Sequence, residues 1–341
     1  MTMKSVLAGI PIGGAKGGVR SDPKIIDTET LLAAASRLTG RYIRKQSYFL
    51  GTDIGFNEKY ANQVYALAGS RRRIFSGKLS PGACCAHSVL ASIDYVKRAN
   101  PKIRAETVAL EGFGAMAMPT AKLLTSEGYR IVAISNIQGT LEDASGLDIK
   151  ELTETAGQPN ENLLPLYARD HPTATFQSDN SINLKNCDIL IPGARVFSIH
   201  ETTATQLKSK LICPIANSPI TAAAEEILAS RGVISIPDVI SNSGALIGSF
   251  AQQLGANQAQ TERIIADLIH SNLPLILDPV RGRIPKLVAR DIATQRMGSL
   301  ERSEKLTALQ WLTPWIREFG SDSFLRALRL YLTLKINSAI P

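Results

Sequence analysis

Residues 106–136 read ETVALEGFGAMAMPTAKLLTSEGYRIVAISN. The stretch opens on apolar residues at strand spacing, breaks at two glycines, and continues with apolar residues at helical spacing. Gly128 then ends the helix, and a second apolar strand follows. This is a βαβ unit of ordinary length. Its turn carries GxGxxA at Gly112, Gly114 and Ala117. Gly112 suits a tight turn, Gly114 lets backbone amides approach a pyrophosphate, and Ala117 lets the helix pack on the strand. The positive end of the helix dipole then faces the phosphates. The second strand ends at Asn136, where a ribose-binding acid would favour NAD. Asparagine bonds a hydroxyl without repelling a 2′-phosphate, so NAD and NADP both stay open.

Outward from this unit the alternation continues. CDILIPG, SKLICPIAN and GVISIPDVI read as strands, and SPITAAAEEILASRG as a helix between the last two. Strands alternating with helices imply a parallel, doubly wound sheet. Upstream, DTETLLAAASRLTGRYI reads as a helix opened by Asp27 or Thr28, and PGACCAHSVLASIDYVKRA as a second. Between them SYFLGTDIGFNEKY reads as a short strand entering a loop at Thr52 to Gly55. From Ser249 the pattern is mainly helical, with Pro274, Pro279 and Pro285 marking turns. ALQWLTPWIREFG and SFLRALRLYLTLKI, both beyond Gly298, have the spacing of amphipathic helices.

Composition narrows the function classes. The 341 residues are 44% hydrophobic and 20% charged, enough for two cores. The formal net charge of +8 comes from scattered basic residues, and the densest run is Arg71 to Arg73, so nucleic-acid binding is not expected. Four cysteines without CxxC spacing fit a reduced, cytoplasmic protein. The four histidines show neither HxxxH nor HExxH, so no metal site is expected. No apolar run reaches the ~18 residues of a membrane helix, and Pro11 and the glycines cut short any signal-like stretch.

The opening MTMKSVLAGIPIGGAKGG surrounds Lys16 with four glycines. A phosphate loop would require GxxxxGK[ST], but Ala15 precedes the lysine and Gly17 follows it. A substrate-contacting loop lysine fits better. Together with GTDIGFNEKY, GLDI, CDILIPGA, PIANSPIT and IPDVISNSGALIGSF, in that order, this segment resembles the glutamate/leucine/phenylalanine/valine dehydrogenase family. The resemblance runs from residue 1 to about residue 297.

The resemblance implies reversible oxidative deamination of an L-amino acid to a 2-oxo acid and ammonia, with NAD or NADP. Lys16 and Asp53 would be catalytic: Lys16 would activate the water that attacks the imine, and Asp53 would exchange a proton with the amine. Lys4, twelve residues before Lys16, and Ser249, seven after Asn242, would meet the substrate carboxylate. Asn217 and Asn242 would line the nicotinamide end, beside the Gly112, Gly114, Ala117 and Asn136 subsite. The implied fold is α/β in two domains. Residues 1–98 would form a truncated catalytic domain, 99–248 a Rossmann-like doubly wound dinucleotide domain, and 249–341 a helical segment returning to the first. A homo-oligomer is expected, with no nucleic-acid or membrane partner.

Some positions differ from the family pattern. Family members carry a further segment before the position of Met1, with much of the side-chain pocket. Ala83 stands where a threonine is usual, Pro214 where an acid is usual, and NSGA replaces NAGG. The rival expectation is an inactive relative that keeps the dinucleotide domain as a binding or assembly module.

Overall fold

The structure, a computed structural model, describes residues 1–10, 12–22, 25–45, 47–52, 55–71, 79–155, 162–179, 181–277 and 283–302. Asp53, Pro279, most of the Arg71–Arg73 run and the two amphipathic stretches beyond residue 302 lie outside them.

Four helices come first: α1 (Thr2–Leu7), α2 (Thr28–Arg44), α3 (Glu58–Leu67) and α4 (Pro81–Ala99). Side-chain caps start three of them. Asp27 accepts the backbone N–H of Thr30 at 2.9 Å, Asn57 that of Tyr60 at 2.9 Å, and Ser80 that of Ala83 at 3.1 Å. Each satisfies an amide that a helix start leaves without an intrahelical partner. Pro81 adds a preset φ at the first position of α4.

The sheet region follows as β1 (Thr107–Leu110), α5 (Ala117–Ser126), β2 (Arg130–Asn136), β3 (Gly139–Glu142), α6 (Ile149–Thr155), α7 (Leu163–Asp170) and β4 (Thr175–Gln177). After a 3-10 turn at Ser181–Leu184 come β5 (Ile189–Ile191), α8 (Glu201–Gln206), β6 (Leu211–Ile212), α9 (Ala222–Ser230) and β7 (Ile234–Ser235). Helices α10 (Asp238–Ser241), α11 (Gly244–Gln253), α12 (Gln258–Ile276) and α13 (Pro285–Arg302) complete the described chain.

The strands form one sheet in the order β4-β3-β2-β1-β5-β6-β7. Strands β2, β1, β5, β6 and β7 are mutually parallel, as expected. Strand β3 departs from that expectation: it pairs antiparallel with β2, from Asn136↔Gly139 onward. Only Ile137 and Gln138 separate the two strands, and so short a link permits a hairpin but no crossover. The sheet is therefore mixed.

Both faces are covered. Val108 and Leu110 of β1 join the larger core with α4, α5, α11 and α12, while Ala109 faces a second core with Ile199, Ala204 and Leu228. This two-sided burial explains why the parallel strands read as unbroken apolar runs. A third, separate cluster of Leu32, Ile43, Val64, Tyr65 and Ala68 holds α2 against α3. The Leu79 backbone N–H donates to Gln252 Oε1 at 3.0 Å, tying the start of α4 to α11.

Two further expectations change. Residues 47–50 form no ladder with another strand among the described residues; instead the Leu50 N–H donates to the Tyr65 hydroxyl at 2.9 Å. An extended segment becomes a strand only through pairing, which its side-chain pattern cannot supply. Pro274 lies within the last turn of α12 rather than marking a turn. The helix continues because tertiary packing outweighs the lost amide: Leu273 and Ile276, on either side of the proline, are buried in the core. Helices α12 and α13 return to α1, whose Leu7 carbonyl accepts from Asn272 Nδ2 and Arg296 Nη1, both at 3.0 Å. Burial holds the Arg296 guanidinium below its ordinary range.

Candidate functional site at the carboxyl edge of the sheet

The carboxyl ends of β1 and β5 mark the point where the sheet order reverses. Strand β1 leads through α5 to β2 on one side, and β5 through α8 to β6 on the other. Such switch points form crevices that take ligands. Gly112 begins the turn there with φ +88°, a left-handed conformation that glycine adopts without strain. Nothing lies within 4 Å of a Cβ built on Gly114, so the backbone there is open to a ligand. Ala117 is buried at the start of α5. The cap residue Met116 offers that helix start no side-chain acceptor, which leaves room for an anionic one. Asn136 ends β2, where its Oδ1 accepts the Gln138 N–H at 2.8 Å and shapes the hairpin. The Gly112 N–H donates to the Ser135 hydroxyl at 3.4 Å, which ties the turn to the end of β2 one residue before Asn136.

A second group meets at the ends of β6 and α10. Lys4 Nζ, carried by α1, donates to Asn217 Oδ1 at 2.8 Å across 213 residues of sequence. The same oxygen accepts from Asn242 Nδ2 at 3.1 Å. Asn242 also donates to the Ile215 carbonyl at 2.9 Å, which orients its amide. Its Oδ1 is buried with no hydrogen-bond partner. A buried carbonyl oxygen left in this state is an acceptor awaiting a donor, and a carboxamide N–H₂ would supply one. The adjacent Ser218 holds a left-handed backbone, φ +47°, and its N–H donates to Asp238 Oδ2 at 3.0 Å.

Lys16 lies in an exposed loop, tied to α1 where the Thr2 hydroxyl contacts the Gly14 carbonyl at 3.4 Å. Burial first, and then the charges of Lys4 and Lys16, hold the Met1 ammonium below its ordinary range, with Asp238 opposing. The two lysines thus share one electrostatic neighbourhood. Ser249 stands exposed on α11. Direct contacts join Lys4, Asn217 and Asn242, while Lys16 and Ser249 face solvent and are not enclosed by that cluster. Asp53 falls outside the described residues.

Sequence reasoning passed over one assembly. Glu111, just before the fingerprint, is buried, and its Oε1 accepts from Arg195 Nε at 3.0 Å and Nη2 at 2.9 Å. Its Oε2 accepts from Ser198 Oγ at 3.0 Å. A buried carboxylate needs such partners. The available signal was an acid closing an apolar strand in VALEG, followed far downstream by an arginine in PGARVFS. The four cysteines are buried and unpaired, and burial pushes Cys84 up to about 12 and Cys85 to about 11. Among the described residues, no group of three or more His, Cys, Asp or Glu could hold a metal ion, and no helix is long and apolar enough to cross a membrane.

Comparison with known proteins places the chain in a family. Residues 79–273 match the family model described as Glutamate/Leucine/Phenylalanine/Valine dehydrogenase, and residues 1–65 that of the Glu/Leu/Phe/Val dehydrogenase dimerisation domain. An NADP-specific glutamate dehydrogenase of Saccharolobus shibatae is 28% identical over 272 residues, covering 74% of this chain and 62% of the relative. One from Synechocystis sp. is 30% identical over 274 residues, covering 73% and 63%. The chain thus spans less than two thirds of the length of these curated relatives. Among solved structures, Plasmodium falciparum glutamate dehydrogenase superposes with a TM-score of 0.74 at 15% identity, over 89% of this chain and 72% of that one. The hetero-hexameric glutamate dehydrogenase of Thermus thermophilus, in its leucine-bound form, gives 0.72 at 21% identity, over 87% and 74%. Both share the fold. With its central model covering more than half of the residues, the chain belongs to the Glutamate/Leucine/Phenylalanine/Valine dehydrogenase family.

Proposed function

We propose that this chain catalyses the reversible oxidative deamination of an L-amino acid to a 2-oxo acid and ammonia, using NAD or NADP. The observation that carries the reading is the Lys4–Asn217–Asn242 contact. It brings a cation from the N-terminal segment to two amides at the carboxyl edge of the sheet, as a reaction between a carboxylate-bearing substrate and a dinucleotide requires. Family membership supports the same chemistry. The relatives' names make glutamate the first amino acid to test.

In this reading Gly112, Gly114, Ala117 and Asn136 hold the adenosine and pyrophosphate, and Asn217 and Asn242 the nicotinamide end. The dinucleotide, when bound, supplies the two-electron acceptor. Lys4 holds the substrate carboxylate by its charge, and the Ser249 hydroxyl donates to it. Asp53 takes a proton from the substrate nitrogen. Lys16 Nζ takes a proton from the water that adds to the imine carbon, and returns it as ammonia leaves. Residues 1–98 form the substrate domain, 99–248 the dinucleotide domain, and the segment from 249 hinges the two and returns to the first. The return of α12 and α13 to α1 supports that division. We further infer a cytoplasmic homo-oligomer. Leu38, Tyr42 and Leu67, exposed on α2 and α3, support a contact with a second copy there.

The test is NAD- and NADP-dependent oxidation of an amino-acid panel by the purified chain. Turnover of one amino acid with either dinucleotide is the expected result. Dinucleotide binding without turnover of any amino acid would leave the chain as an inactive binding module.

A further inference from the structure

We propose that Arg195, held in place by Glu111 and Ser198, binds the phosphates of the dinucleotide at the mouth of the crevice. This rests on the reading that the crevice takes a dinucleotide, and adds to it a phosphate-binding residue.

The first observation is the setting of the pair. Glu111 follows β1 directly before Gly112, and its side chain is 2% exposed, whereas that of Arg195 is 49% exposed. The guanidinium spends Nε and Nη2 on a single carboxylate oxygen, so its Nη1 edge lies outside the pair. Arginine presents several N–H groups in a rigid fork, and a carboxylate on one edge orients the other. The fixed edge belongs to a group with half its surface in solvent, at the carboxyl end of β5.

The second observation is the closeness of the two loops. A Cβ on Gly193 would fall 2.5 Å from the Glu111 carbonyl oxygen, and one on Gly112 would meet Ala194 Cβ at 3.2 Å. The segment carrying Arg195 therefore lies against the GxGxxA turn itself. It is pinned on its far side as well: the Phe197 N–H donates to the Ser218 carbonyl at 3.0 Å, and Asn183 Nδ2 to the Ser198 carbonyl at 3.1 Å. Phe197 holds φ +52° and is 58% exposed as a residue, a conformation that costs energy for little burial. A loop fixed from both sides around an exposed guanidinium is preorganised for a ligand.

The third argument is electrostatic. A buried carboxylate directly beneath a pyrophosphate would oppose it. Arg195 cancels that charge and turns its remaining donors toward the phosphates, so Glu111 is a positioning residue. The phosphates in question are the pyrophosphate, common to both dinucleotides, or the 2′-phosphate that NADP alone carries.

Binding of NADH, NADPH and phosphate-free adenosine, measured by calorimetry on the full chain, tests this. Arg195→Leu alone would strand the buried carboxylate and endanger the fold. The paired variant Glu111→Gln/Arg195→Leu removes both charges and keeps the shape. It should bind at least one dinucleotide roughly ten- to a hundredfold more weakly, the loss expected for charge-assisted hydrogen bonds, while adenosine affinity stays the same. Equal loss for NADH and NADPH identifies the pyrophosphate; loss for NADPH alone identifies the 2′-phosphate. Arg195→Lys should recover part of the affinity, and Glu111→Gln should fall between wild type and the paired variant, because the guanidinium remains without its charged anchor. Unchanged affinity for both dinucleotides, or an equal loss for adenosine, overturns the proposal. A wild-type chain that binds neither dinucleotide overturns the dehydrogenase reading and this proposal together.

Discussion

The two regions that would meet around a substrate are built very differently. The carboxyl edge of the sheet is cross-linked by side chains: Glu111 accepts from Arg195, Asn242 donates to the Ile215 carbonyl, and Asp238 accepts from the Ser218 N–H. The N-terminal segment holds Lys16 in an exposed loop tied to a six-residue helix, and its α2–α3 pair has its own small core. Glu111, Asn242 and Asp238 are buried in that bonding, whereas Lys16 is exposed. Loops drawn from the low-stability end of a structure are those that can close over a substrate.

The largest expected effect is at the exposed loop of Lys16. Lys16→Ala should lower kcat by roughly 10²–10⁴-fold, the usual contribution of a general base, with the Kd for NADH nearly unchanged. A steady-state assay beside a binding titration checks this, and retained turnover would take Lys16 out of the chemistry.

Next comes the larger core under the sheet. Leu110→Ala, under the switch point, should cost about 3 kcal/mol in denaturant unfolding. Val64→Ala in the small α2–α3 cluster should cost less and raise hydrogen exchange mainly in those two helices. Equal, global effects of the two would mean that the regions unfold as one and the contrast fails.

The pH dependence of stability gives a third test. Burial first of all raises Glu225 from 4.5 to about 7, against the pull of Lys286. Its folded-state pKa is above the unfolded one, so its contribution is fully present below about pH 4.5 and is lost as pH rises through 7. Glu225→Gln should therefore leave stability at pH 4 unchanged and raise it at pH 8, by roughly 2 kcal/mol. Thermal melts at the two pH values decide; equal gains at both would assign the effect to packing.

The smallest effect probes the crevice alone. Gly114→Val adds a side chain where nothing lies within 4 Å, so the melting temperature should stay within a degree or two of wild type. Dinucleotide affinity should nevertheless fall about tenfold. Unchanged affinity would move the ligand away from the fingerprint.

Much of this architecture is written in local pattern. The GxGxxA turn between an apolar strand and an apolar-faced helix is a local statement, and Gly112 and Ala117 sit as their residue types require. The caps at Asp27 and Ser80 are equally local, since each bonds an amide three residues on. That residues 47–50 join no ladder among the described residues was not readable, because strand character depends on a neighbouring strand elsewhere in the chain. Strand β3 was not read in the sequence, where alternating apolar segments suggested a parallel sheet; the two-residue link that reverses it emerges only with its bounds.

The sequence by itself determined the βαβ unit and its glycine turn, because periodicity and glycine spacing act over a few neighbouring residues, and its ordered motifs carried the resemblance to the family. Only the tertiary structure decided that Lys4 meets Asn217 across 213 positions, and that Glu111 takes Arg195 as its partner. No local pattern encodes such pairs. They follow from where the strands end, and a charge or a polar atom buried there must find whatever partner the fold brings within 3 Å.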